Sequence, residues 1–155
     1  MNSNFEVDKK FFEENGFLVV KQVFSPAEIA DFRKKAYEQY ALDQQKKLDF
    51  QLPNLATKAK YAKGDLLSKE LLHTILLDDR IIKIARVILG NDQLVYFGDS
   101  SYQIGTGLRG FHRDNIDRTD LKGADWKGEY TLIRLGIYLQ DHKNYSGGLK
   151  IKTGT

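Results

Sequence analysis

The character of this chain changes after Gly90. Helical patterns dominate before it, and strand-like patterns follow it. A chain that places its helices first and its strands later folds as α+β, because an alternating α/β fold needs a helix between successive parallel strands. Its 155 residues suit one domain, with a helical front over 1–90 and a mainly β core over 91–155.

The front half carries strong local signals. Val7 to Asn15 reads as a short helix with Phe11 and Phe12 inward and Gly16 as its stop. "FLVV", Phe17 to Val20, reads as a buried strand. In "SPAEIADFRKKAYEQYALDQQKK", Ser25 is an N-cap, Pro26 stands at the first helical position and Glu28 completes a capping box. Ile29, Phe32, Ala36 and Tyr40 then form a helical stripe. Leu48 to Lys63 lacks periodicity and reads as a long loop. Ser68 to Leu77 reads as a helix. Asp79 to Leu89 is another, with Ile81, Ile84, Ala85 and Ile88 on one stripe and Gly90 after the last turn.

The second half reads as strands. Leu94 to Ile104 is aromatic and small-residue rich. Thr131 to Gln140 alternates most clearly, with Thr131, Ile133, Leu135, Ile137 and Leu139 on a core face. The opposite face carries Arg134 and Tyr138 and borders solvent or a cavity. "NYSGG" is a turn, and "LKIK" begins a further strand.

Composition closes several routes. With no cysteine, disulfides, thiolate metal sites and cysteine nucleophiles are excluded, and a cytoplasmic protein fits. A net charge of +3 is too small to argue for nucleic acid. Lysines at 34, 35, 46, 47, 58, 60 and 63 read as a solvated helix face and loop. No apolar run is long enough to span a membrane, and "MNSNFEVDKK" lacks the basic-then-apolar order of a signal peptide.

One stretch, "GTGLRGFHRDN" from Gly105 to Asn115, spells three motifs. Gly105, Gly107 and Gly110 match G-x-G-x-x-G, but no apolar helical stripe and no βαβ unit follow, as a dinucleotide site requires. His112, Arg113 and Asp114 match the kinase H-R-D, yet position 119 is Thr where that loop needs Asn, and no D-F-G follows. His112 and Asp114 also form H-x-D. Two apart in a strand, they point to one side, so an imidazole nitrogen and a carboxylate oxygen can meet one metal. A second histidine from a distant strand would complete a 2-His-1-carboxylate triad. A surface histidine beside a solvated aspartate spells the same pattern.

Four stretches together resemble the phytanoyl-CoA dioxygenase family of iron(II)/2-oxoglutarate oxygenases. They are "FFEENGFLVVKQVFSPAEIADFRKKA", "IIKIARVILGND", "FHRDN" and "RLGIYLQDHKNYSGGLKIKTGT". The resemblance runs nearly end to end, and it rests on their order and spacing. It implies a double-stranded β-helix, a jelly roll of the cupin kind, buttressed by N-terminal helices. It implies that His112 and Asp114 bind Fe(II). Retention of Asp114 favours hydroxylation over halogenation, because related halogenases carry a small residue there. The implied reaction couples decarboxylation of 2-oxoglutarate to hydroxylation of a small-molecule substrate by dioxygen.

The resemblance also assigns Tyr102 and Gln103, on the strand before H-x-D, together with Arg113 and Trp126, to 2-oxoglutarate. It turns Arg134 and Tyr138 toward the substrate; a surface pair of Arg134 with Glu129 or Asp141 is the alternative. The family's second metal histidine and its 2-oxoglutarate arginine fall beyond "KTGT", so the chain is expected to be an N-terminal fragment with an incomplete jelly roll. Such a fragment would be inactive alone and prone to self-association through exposed strand edges. The remaining histidines are His73, on a helix, and His142, in a turn. A non-catalytic binding module that keeps the fold and meets an acidic partner through lysines is the other function class.

Overall fold

The computed structural model describes residues 5–45, 60–63, 65–96, 98, 100–105, 132–144 and 148–153. Its elements run α1 (Lys9–Asn15), α2 (Pro26–Gln45), β1 (Lys60–Lys63), a 3-10 turn (Leu66–Ser68), α3 (His73–Leu76), α4 (Asp79–Leu89) and β2 (Ser101–Ile104).

The two long helices form where local chemistry calls for them. At the start of α2, Ser25 N–H donates to Glu28 Oε2 at 2.8 Å and Glu28 N–H donates to Ser25 Oγ at 3.3 Å. This reciprocal box satisfies two amides that a helix start leaves without partners. Phe32 and Ala36 are buried on the inner face of α2, as the stripe requires. Helix α4 begins at Asp78, whose carboxylate accepts from Arg80 N–H, and ends at Gly90 in the left-handed region, φ 64°. Its buried residues are Ile81, Ile84, Ala85 and Ile88, the stripe read from the sequence. With Phe32, Ala36 and Leu72 they make the core. The Phe24 ring meets Phe32 edge-on at 4.9 Å and closes one end of it.

Several expectations need correction. Helix α1 starts two residues later than Val7, because Asp8 is its cap and accepts from Phe11 N–H at 2.9 Å. Phe11 is not inward but 38% exposed. Neighbouring helix positions diverge by about 100°, so Phe11 and Phe12 cannot share one face; Phe11 instead packs edge-on against Phe17 at 5.5 Å. Phe17 to Val20 is not a strand, and Val19 is 64% exposed. β-branched residues favour extended backbone but do not supply a neighbouring strand.

Ser68 to Leu77 is not one helix. The 3-10 turn is capped by Asp65, and Lys69 is extended (φ −94°, ψ 110°) before α3 begins. Extending at Lys69 carries its ammonium to a buried carboxylate on α2, a tertiary contact that outweighs helix continuation. The last four residues of the expected loop Leu48 to Lys63 form β1; residues 46–59 lie outside the described ones.

Strands β1 and β2 pair antiparallel, with Lys60 opposite Ile104 and Lys63 opposite Ser101. Only Ser101–Ile104 of the expected strand Leu94 to Ile104 joins the ladder. Gly98, at φ 74°, turns the chain out of extended geometry just before it. Residues 132–139 and 149–152 have no ladder partner among the described residues. Ile133, Ile137 and Leu139 are half-buried while Arg134, Gly136, Tyr138 and Gln140 are exposed, so the period-2 pattern persists. Leu135 breaks it and is exposed, as are Leu149 and Ile151.

Candidate functional site

Helix α2 carries its apolar stripe through Phe32 and Ala36 and then continues it with two polar residues, Gln39 and Asp43. Both are buried, and Asp43 is the most deeply buried side chain among the described residues, at 1% exposure. A buried carboxylate needs donors, and Asp43 has three. Gln39 Nε2 donates to Oδ1 at 3.0 Å, the Lys69 ammonium lies 3.0 Å from Oδ2, and the Tyr102 hydroxyl donates to Oδ2 at 2.7 Å. Lys69 is itself 5% exposed. Gln39 is used at both ends, since its Oε1 accepts from Leu71 N–H at 3.0 Å. The junction thus ties α2, the segment leading into α3, and β2.

Its electrostatics follow from these contacts. Burial pushes the Asp43 carboxyl up, but the hydrogen bonds from Tyr102, Lys69 and Gln39 outweigh it, and the net direction is down. The Tyr102 phenol goes the other way. Burial and then the bond to Asp43 both hold its proton on, above the usual tyrosine range. The junction therefore carries one carboxylate, one ammonium and one neutral phenol. Its Gln39, Asp43 and Lys69 line a cleft of about 410 Å³ together with Leu67, Ser68, Glu70 and His73. His73 Nδ1 lies 3.2 Å from Lys69 O. A carbonyl only accepts, so Nδ1 is the donor in this contact.

A second tie holds the approach to β2. The Tyr96 hydroxyl donates to Asp65 Oδ1 at 2.8 Å and also meets Ser100 Oγ, which accepts from Leu66 N–H at 2.8 Å. A third cluster locks the helical front. Arg80 reaches Asp78 through Nε and Nη2, both at 2.8 Å, and Glu28 through Nη2 at 2.8 Å, while its guanidinium sits 4.3 Å over the Phe24 ring. The Arg80 bond and the Ser25 donors hold the Glu28 carboxyl down to about 2. Arg80 also draws Asp78 below its ordinary value, and its own guanidinium is held more firmly protonated.

The residues named from sequence fall into two groups. His112, Arg113, Asp114 and Trp126 lie outside the described residues. Tyr102 and Gln103 both stand on β2, as expected, but neighbouring strand residues face opposite sides. Tyr102 is half-buried toward α2, whereas Gln103 is exposed and its amide lies 3.4 Å from Gly105 O. The two therefore face opposite sides of the strand. Arg134 and Tyr138 share the exposed side of their segment, and Tyr138 meets the His142 ring edge-on at 4.6 Å. Among the described residues, no three of His, Asp or Glu converge as a metal group. None of the helices there is long and apolar enough to cross a membrane.

Sequence reasoning missed Gln39, Asp43 and Lys69. The signal was present: positions 32, 36, 39 and 43 keep helical spacing, so two polar residues occupy core positions of α2.

Searches among curated proteins and among solved structures give no significant match. A family model does match, over residues 12–154, which takes in α2 to α4, both strands and the H-x-D stretch. By that near end-to-end agreement the chain belongs to the phytanoyl-CoA dioxygenase (PhyH) family.

Proposed function

We propose that this chain belongs to an iron(II)- and 2-oxoglutarate-dependent hydroxylase of a small molecule, with a jelly-roll core behind its helical front. The observation that carries this reading is the family match over residues 12–154, with His112 and Asp114 inside it. The donor set fits the metal: imidazole nitrogen and carboxylate oxygen are the ligand types that non-haem Fe(II) sites use. When bound, iron with 2-oxoglutarate and dioxygen supplies the oxidising power for C–H hydroxylation.

The chain's own residues supply the rest. His112 offers a ring lone pair, and a proton competes for it, so metal affinity falls as the imidazole protonates. Asp114 offers an anionic oxygen that offsets part of the metal's charge. Gln103, exposed on β2, offers an amide donor to a 2-oxoglutarate carboxylate. The Tyr102 hydroxyl donates its single proton in the hydrogen bond to Asp43, which leaves it only acceptor capacity. Arg113, Trp126, Arg134 and Tyr138 remain proposed contacts to 2-oxoglutarate and substrate.

The binding-module alternative gains no support from the lysines of α2. Lys34 lies 3.8 Å from Glu38 and Lys35 lies 2.7 Å from Asp31, so these cations face acidic neighbours on their own helix.

Anaerobic addition of Fe(II) and then 2-oxoglutarate tests the proposal through the visible metal-to-ligand charge-transfer band. The band is expected in a version extended downstream that supplies a second metal histidine and a 2-oxoglutarate arginine, and there also with His73→Ala and with His142→Ala. It is expected to vanish with His112→Ala and to weaken strongly with Asp114→Ala. A band that survives His112→Ala, or no band in either the 155-residue chain or the extended protein, overturns the assignment.

A further inference from the structure

We propose that the cleft between α2 and the start of α3 binds a small primary alkylamine, its ammonium held by Glu70, Ser68 and His73 and its alkyl chain lying along Leu67. The site is separate from the hydroxylase reading, which gives none of these four residues a role. Three observations carry the inference. First, the buried part of the lining is already satisfied. Asp43, at 1% exposure, accepts from Gln39, Lys69 and Tyr102, and Lys69, at 5%, has Asp43 as its counter-charge at 3.0 Å. No buried side-chain nitrogen or oxygen among the described residues lacks a partner. Lys69 is therefore a poor anchor for an anion. A carboxylate or phosphate brought to its ammonium would also stand beside the Asp43 carboxylate, and like charges repel.

Second, the groups that remain open are acceptors. Glu70 is exposed, and its carboxylate has no hydrogen-bond or ion-pair partner among the described residues. Ser68 Oγ donates its one proton to Asp65 O at 2.6 Å, which leaves the oxygen free to accept. His73 meets Lys69 O through Nδ1, so the neutral ring has Nε2 as its acceptor. A primary ammonium brings three N–H donors and no acceptor. It complements this set, and an anion does not.

Third, charge and size agree with that ligand. Lys69 (+1) offsets Asp43 (−1), and Glu70 (−1) leaves the lining net negative when His73 is neutral. Leu67, 41% exposed, adds apolar surface to the same cleft. Its volume of about 410 Å³ falls within the range of small-molecule sites.

The test uses n-butylammonium chloride at low ionic strength, where an exposed carboxylate is least screened. Sodium butyrate and 1-butanol, with the same chain length, are the controls. Binding is followed by NMR through the His73 ring signals, and by the rise of the thermal midpoint with ligand concentration. Butylammonium is expected to shift the His73 ring saturably and to raise the midpoint. Glu70→Gln removes the charge from an exposed side chain and is expected to weaken binding about fivefold. Glu13→Gln, at an exposed carboxylate on α1, should leave the affinity unchanged.

Butyrate bound at equal or higher affinity overturns the proposal and makes Lys69 an anion site. Equal affinity for 1-butanol overturns it in favour of an apolar groove. A butylammonium shift that never saturates overturns it, as does a Glu70→Gln affinity within about twofold of the unaltered chain. None of these readouts uses metal or 2-oxoglutarate, so this site and the hydroxylase reading stand or fall separately.

Discussion

Removing the charge from Asp43 should cost more stability than any other single polar substitution among the described residues. The Lys69 ammonium stands 3.0 Å from Asp43 Oδ2, and both side chains are almost fully buried, at 6% and 2% exposure. At an effective dielectric constant of 20 the direct attraction at that distance is about 5 kcal/mol, most of it set against the cost of taking both ions out of water. Asp43→Asn leaves the ammonium in place without its counter-charge, a loss of about 3–5 kcal/mol. Lys69→Met leaves the carboxylate with Tyr102 and Gln39 as donors, so its cost should be lower, about 2–3 kcal/mol.

Combining the two removes both charges and should recover at least about 1.5 kcal/mol relative to the sum of the singles. For a chain of this size the Asn variant should melt on the order of 10 °C lower. Urea denaturation of the four proteins at neutral pH gives the cycle directly. Additive losses, or an Asn variant within about 0.5 kcal/mol of the unaltered protein, would refute the argument that a buried ion pair holds α2 to the segment before α3.

Other consequences follow from the helical front. Glu28 is held down to about 2 by Arg80 and the Ser25 donors, against an ordinary value of 4.5. A lowered carboxyl stabilises the fold above the ordinary value and loses that contribution as pH falls through the lowered one. The acid limb of stability should therefore be shallower in Glu28→Gln between pH 4.5 and about 2, as followed by circular dichroism. Ser25→Ala, which removes the hydroxyl half of the capping box, should cost about 1 kcal/mol in urea denaturation. Ile84→Ala should cost about 2–5 kcal/mol, since Ile84 is only 5% exposed in the core. Gly16→Ala and Gly90→Ala should each cost about 1–2 kcal/mol for the left-handed backbone. Only the Gly90 change also displaces a side chain, because its new methyl would sit 2.8 Å from Lys9 Nζ.

Helices α2 and α4 were legible because their determinants are local. Ser25, Pro26 and Glu28 start one; Asp78 and Gly90 bound the other, and the stripe Ile81, Ile84, Ala85 and Ile88 needs nothing beyond its own periodicity. The break at Lys69 was not legible, since it depends on a carboxylate 26 positions earlier in the chain. Asp43 was overlooked for a related reason: a polar residue on a helix is read as solvent-facing unless its partners are known, and these come from other segments. The strands were the least legible elements. Phe17 to Val20 and Leu149 to Lys152 have strand-like composition without ladder partners among the described residues, because pairing is a property of two segments and composition describes one. His112 and Asp114 are proposed from motif and order, and both positions lie within the family match.

The most direct test of the central claim uses the chain's three histidines, His73, His112 and His142, each of which gives its own imidazole signals by NMR. A paramagnetic divalent ion, Co(II) or Mn(II), broadens only rings close to where it binds. With the metal added under anaerobic conditions, the His112 signals should disappear at the lowest concentrations while those of His73 and His142 stay sharp. Asp114→Ala should shift that loss to much higher metal. If His112 stays sharp when metal is in excess, or if His73 or His142 broadens first, the metal does not sit at H-x-D and the hydroxylase reading is contradicted.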